Sequence, residues 1–182
     1  MILVKRLTYF VPAVVLAAAL IVPASAPAAT SSGTLTVTAT VAASINMVFD
    51  SDGSGVPLTG TGTNTATLAF GTVQAFGGSV PTGATRTVNG TTDYTYSSPF
   101  DVKVVAANSS SANYTLTAKL GSADAVNTWK IDAITLTTSF QTITATGSYG
   151  GDQAHTVALT IPFTEADATS ISNALAFTAT AN

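Results

Sequence analysis

Thr34-Leu35-Thr36-Val37-Thr38-Ala39-Thr40-Val41 alternates polar and apolar residues at every position. Successive side chains of an extended chain point to opposite faces. Leu35, Val37, Ala39 and Val41 therefore make an apolar edge, and the intervening threonines a polar, β-favouring one. A helix would smear this period of two around its whole surface. The pattern predicts a strand whose apolar side needs a groove or a sheet, in its own domain or in a neighbouring subunit.

The same period recurs downstream. Residues 44–49 set Ile45, Met47 and Phe49 on one face, and residues 65–73 do the same with Ala66, Leu68 and Phe70. Residues 100–106 and 114–120 flank a polar turn over 108–113 and predict a hairpin. Trp129, Ile131 and Ala133 start another strand, which continues to Ile134 before a bend at Leu136. Residues 141–146 and 155–163 flank the glycine-rich 147–151, and Leu175, Phe177, Ala179 and Ala181 share one side of a last strand over 174–181. Residues 50–62 and 77–90 are rich in turn residues and predict loops, with Asn89-Gly90 as a hairpin-turn signal. Residues 165–170 predict a short helical turn. About eight or nine short strands at this spacing predict an all-β fold, an immunoglobulin-like antiparallel β-sandwich, with a β-barrel as the competing closure. The lack of any helix of useful length excludes βαβ architectures, and no fixed-period repeat points to a solenoid.

The start of the chain reads differently. Lys5 and Arg6 precede an apolar run over residues 11–22 and small residues over 24–29. Ala26-Pro27-Ala28 fits a small-x-small cleavage site, so residues 1–28 are expected to be a secretory signal peptide. The run is short for a membrane span of about 20 residues. The expected organisation is a signal over 1–28, an N-terminal alternating strand within 29–43 and a β-sandwich domain over 44–182. A mature chain of about 153 residues suits one domain. No later stretch is apolar enough to span a membrane, so a secreted, extracellular location is expected, by way of the periplasm in a Gram-negative cell.

Only 8% of the chain is charged, against about 25% in ordinary soluble domains. The net charge is −3, and without Lys5 and Arg6 four basic residues stand against nine acidic ones. Nucleic acid calls for a basic surface and is excluded as a partner. Cysteine is absent: an exported protein without disulfides must rely on its core.

Few residues invite chemistry. Asp50, Asp52 and Ser54, ahead of Gly55, have the oxygen spacing of the first half of a calcium loop, but position twelve is Thr61 where a bidentate Glu is expected. A polar hairpin turn is the competing reading. His155, the sole histidine, reads as a strand-surface residue, with no nucleophile elbow to partner it. Glu165 and Asp167 read as a solvated turn. Trp129 with Tyr94, Tyr96 and Tyr149 could form a sugar-stacking platform, although a single Trp in a sandwich is more often core. No catalytic residue and no cofactor are expected.

Residues 36–45, Thr-Val-Thr-Ala-Thr-Val-Ala-Ala-Ser-Ile, together with Leu68-Ala69-Phe70-Gly71-Thr72-Val73, resemble the N-terminal half of bacterial fimbrial subunits. The similarity is closest to the spore coat protein U-like group of archaic chaperone–usher pilins. Residues 173–181 are loosely similar to the final strand of those proteins. Ser44 stands where they usually carry a cysteine. The resemblance implies a structural, non-enzymatic subunit of a pilus or coat. Self-association would then run by strand addition through Leu35, Val37, Ala39 and Val41, with a periplasmic chaperone and usher as partners. A monomeric secreted module that binds carbohydrate or another surface is the alternative from the same residues.

Overall fold

The computed structural model describes residues 31–182, and the export signal expected over 1–28 lies outside them. The chain divides into two units, Met1–Ala39 and Thr40–Asn182. Within the second, nine strands form and no helix. They are β1 (Ser44–Asp50), β2 (Thr85–Asn89), β3 (Asp93–Ala107), β4 (Asn113–Leu120), β5 (Thr128–Ile131), β6 (Ile134–Thr135), β7 (Gln141–Ser148), β8 (Asp152–Pro162) and β9 (Leu175–Ala181). One sheet runs β1-β3-β8-β5-β6, with β2 also on β3, and the other runs β7-β4-β9. All pairings are antiparallel. The sheets do not close on each other, so the fold is a β-sandwich rather than a barrel.

The core follows from alternation. In β4 every second side chain of Asn-Tyr-Thr-Leu-Thr-Ala-Lys-Leu is buried, and β8 repeats the pattern from His155 to Ile161. Val102 and Val104 of β3, Leu116 of β4, Ile131 of β5 and Leu159 of β8 meet in one cluster. Each side chain of this kind contributes roughly 1.5–3 kcal/mol by leaving water.

Several expectations need correcting. Strand β3 begins at Asp93, well before residue 100, and Pro99 lies inside it. Proline is tolerated there because β2 pairs with residues up to Ser97 and β1 only from Asp101; Pro99 occupies the gap between two partners, where no ladder donor is needed. β2 arises within the turn-rich 77–90, because the turn at Asn89 and Gly90 (φ 62°) folds it back onto β3. Residues 65–73 keep alternating burial but make no strand: one bridge, Thr59 to Thr67, is their only ladder contact among the described residues. Residues 165–170 form turns rather than a helical one, with Ala168 at φ 59°.

Tyr114 is fully buried, and its hydroxyl has no partner among the described residues. Burial raises its pKa above the ordinary tyrosine value, with Tyr149 adding to the shift. An unpaired buried hydroxyl costs roughly 1–3 kcal/mol. Tyr114→Phe is therefore expected to leave stability unchanged or raise it by about 1 kcal/mol, measured as a shift in the urea midpoint at constant slope. A clear loss of stability would mean that the hydroxyl has a partner.

Candidate functional site

A groove of about 1390 Å³ opens in the second unit. Phe100, Val157 and Leu159, from the inner face of the six-stranded sheet, line it together with Leu175 and Phe177 of β9. The extended segment 64–76 and the β8–β9 connection complete the lining. Near one end, Phe49, Phe100 and Phe177 pack mutually with ring centroids 5.2–6.4 Å apart. At the other, Phe76 packs on Phe163 at 5.4 Å, and Phe163 stacks on Tyr94 at 6.1 Å. The Tyr94 hydroxyl is held above its usual pKa by burial, then by Tyr96 and Glu165. The space exceeds the 300–1,000 Å³ typical of a small-molecule pocket and suits an extended segment.

The groove runs beside a sheet edge that none of the described residues guards. Proteins blunt exposed edges with short strands, charges, prolines or bulges. β6 has only two residues. β7 is bulged against β4 at Leu116. β2 carries Arg86, and the outer side of β1 is bridged by Thr63. β9, Leu-Ala-Phe-Thr-Ala-Thr-Ala, has no charge and no proline, and its register with β4 is unbroken from Ala181 to Leu175. Gly121 N–H donates to Ala174 O at 2.6 Å, and Asn182 N–H donates to Asn113 O at 3.1 Å. In an antiparallel ladder successive residues direct their main-chain groups to opposite sides. The even positions thus face β4, leaving the N–H and C=O groups of Leu175, Phe177, Ala179 and Ala181 directed to the free edge.

Residues 34–41 form no strand here. Leu35, Val37 and Val41 are 87%, 80% and 72% exposed, and Ala39 is exposed as well. Three large aliphatic side chains in period two, all in water, are the feature of this segment that calls for a partner.

The other singled-out residues fall elsewhere. Asp52 Oδ1 accepts hydrogen bonds from Ser54 N at 2.7 Å and Ser54 Oγ at 2.6 Å. These bonds, the side-chain one first, hold its carboxyl below the usual value. Asp50 closes β1 opposite Asp101 and accepts from Thr61 Oγ at 3.3 Å. Burial pushes Asp101 up, with Asp52, Asp152 and Asp50 adding repulsion. Among the described residues no cluster of three or more carboxylates and histidines is placed to hold a metal ion.

His155 is not on the strand surface: it is buried, with Nδ1 2.8 Å from Asp132 Oδ2. Asp132 sits at φ 55° in the β5–β6 turn and also accepts from Thr156 N at 2.8 Å. No sequence signal links the pair, because 23 residues separate them and only the pairing of β5 with β8 brings them together. Trp129 is core, and Tyr149 lies against Tyr114, so the four-residue aromatic platform is not assembled. The aromatic group that does assemble, Phe76, Tyr94 and Phe163, is one that the sequence did not single out.

The Trp129 indole donates to Asp124 Oδ2 at 2.8 Å, and Asp124 Oδ1 accepts from Val126 N and Asn127 N. Burial pushes the Asp124 carboxyl up, but hydrogen bonds led by that from the Asn127 backbone outweigh it and hold the pKa below the ordinary aspartate value. A depressed carboxylate adds stability above its unfolded pKa, lost as pH falls through the folded one. Acidification below about pH 4 is therefore expected to lower the melting temperature and shift the emission of Trp129. Asp124→Asn should flatten that acid limb, and an unchanged limb would refute the assignment.

No protein-family model matches this chain, and neither does any characterised protein sequence or solved structure at the threshold for a significant match. What fold and site define is a class: a cysteine-free antiparallel β-sandwich with an open apolar groove, an unguarded edge strand beside it and an exposed alternating segment ahead of it.

Proposed function

We propose that this chain is a non-enzymatic structural subunit of an extracellular fimbria, pilus or coat-like assembly, joined by strand addition. Residues 34–41 of one subunit enter the groove of the next. Their main chain pairs with the free edge of β9 on one side and meets the extended segment 66–73 on the other. The observation that carries the reading is the unguarded β9 edge beside an apolar groove, in a chain that also exposes an apolar period-two segment. Burying Leu35, Val37, Ala39 and Val41 contributes about 5 kcal/mol or more. The interface is heterologous and does not close on itself, which is how fibres grow. An apolar groove needs cover before assembly, a task suited to the periplasmic chaperone and usher that the resemblance implies. The reading needs no cofactor, and calcium at Asp50, Asp52 and Ser54 is not part of it.

The test is the oligomeric state of the protein with and without residues 29–43. The full chain is expected to form heat-resistant multimers. The shortened chain is expected to stay monomeric and to bind a peptide of residues 33–43. Two folded monomers that ignore the peptide would defeat the proposal, and a shortened chain that unfolds would place the strand in its own domain. The alternative, a monomeric carbohydrate-binding module, draws on Phe76, 67% exposed against Phe163. It predicts sugar-dependent quenching of aromatic fluorescence by a monomer.

A further inference from the structure

Resting on the strand-addition reading, we infer the orientation and register of the incoming strand: antiparallel to β9, with Val41 opposite Leu175, Ala39 opposite Phe177, Val37 opposite Ala179 and Leu35 opposite Ala181. Two features select it. The first is size. Facing core positions fill space best when large and small residues alternate, and the small Ala39 falls on the large Phe177. The larger Val37 and Leu35 fall on Ala179 and Ala181. A shift of two residues one way puts Val41 against Asn173, whose side chain is committed to Ser122. A shift the other way puts Ala39 on Ala179, leaving a void, and carries Leu35 beyond the end of β9.

The second is length. The antiparallel register lays residues 35–41 on the whole of Leu175–Ala181. A parallel strand with Ala39 on Phe177 sends Leu35 to Asn173 and leaves Ala181 uncovered. Antiparallel ladders are also slightly the more stable per residue. The outer face is compatible with this register but does not choose among two-residue shifts, because residues 34, 36, 38 and 40 are all threonine; there Thr115 pairs with Thr180, and Thr117 lies between Thr178 and Thr142. In the inferred register Thr36 meets Thr180 and Thr38 meets Thr178. Both threonine rows gain a strand, and cross-strand Thr pairs are favourable. No charge lies on either strand, so nothing opposes the contact. The odd residues of both strands exchange main-chain bonds, because Leu175, Phe177, Ala179 and Ala181 direct theirs outward.

The outer-face pairs make the register measurable. They are non-hydrogen-bonded positions with Cα atoms about 4.5 Å apart, within disulfide reach, and the native chain has no cysteine to interfere. Three full-length double variants are compared: Thr38→Cys with Thr178→Cys, with Thr180→Cys, and with Ala176→Cys. Mild oxidation followed by non-reducing denaturing electrophoresis should give covalent ladders from the Thr178 pair at least about tenfold faster than from the other two. Ladders chiefly from the Thr180 or Ala176 pair would overturn the register while leaving strand addition standing. No ladder from any pair, with a multimeric wild type, would overturn pairing on β9. A disulfide within single chains, or a monomeric wild type, would overturn strand addition itself.

Discussion

Val37→Asp in the full chain should abolish multimers while leaving the melting temperature of the subunit unchanged. Val37 is 80% exposed in the free chain, so a surface substitution there costs the fold little. In the proposed assembly the same side chain faces the groove, opposite Ala179. A carboxylate placed there loses its hydration without gaining a partner, and the residue forfeits the 1.5–3 kcal/mol of an apolar anchor. A combined loss of about 4 kcal/mol or more weakens association by roughly a thousandfold. Thr38→Asp is the matched control, because position 38 points to solvent in the added strand and should cost well under 1 kcal/mol. Sedimentation velocity and a thermal melt on each variant separate the outcomes. Multimers that survive Val37→Asp, or that fail equally with Thr38→Asp, would show that the alternating face is not what enters the groove.

How much of this was legible beforehand depends on the range of the interaction that decides each element. β4 and β9 were readable because their own side chains alternate, and alternation is local. β3 was half legible: Phe100, Val102 and Val104 announce it, whereas Tyr94 to Ser98 are polar enough to pass for a loop, and Pro99 argues against a strand until its place between β1 and β2 is seen. Residues 65–73 failed the other way. Ala66, Leu68 and Phe70 do turn inward, but no neighbour offers that segment a ladder. His155 looked like a surface residue because a histidine in a strand usually is one. Its burial depends on Asp132, held at positive φ across a turn.

The donor half of the proposed interface, Leu35 to Val41, stood out from the sequence by period alone. The acceptor half did not, since a groove exists only once it is known that β9 ends its sheet and that the six-stranded sheet extends beyond it. Edge status is a property of topology. No residue of β9 declares it, and what singles the strand out is the absence of the charges, prolines and bulges that protect the other edges.

Gly147→Ala is expected to damage the fold itself by about 3 kcal/mol or more. Gly147 lies on β7 directly opposite Tyr114 of β4. Its φ is not in the left-handed region, so the glycine is not needed for backbone freedom; it is needed for space. A Cβ at this position would fall on the Tyr114 ring, against Cζ and both Cε atoms. The ring cannot swing aside, because Tyr114 is fully buried and packed against Tyr149 at 5.5 Å. Glycine beneath a cross-strand aromatic is a known way to stabilise a sheet position that lacks its own side chain, and here the ring covers β7 where its pairing shifts. The strain is pairwise, so a double-mutant cycle tests it. Gly147→Ala in a Tyr114→Ala background should cost far less than in the wild type, with a coupling of about 2 kcal/mol. Additive effects in chemical denaturation would place the cost in the backbone and refute the ring contact as its cause.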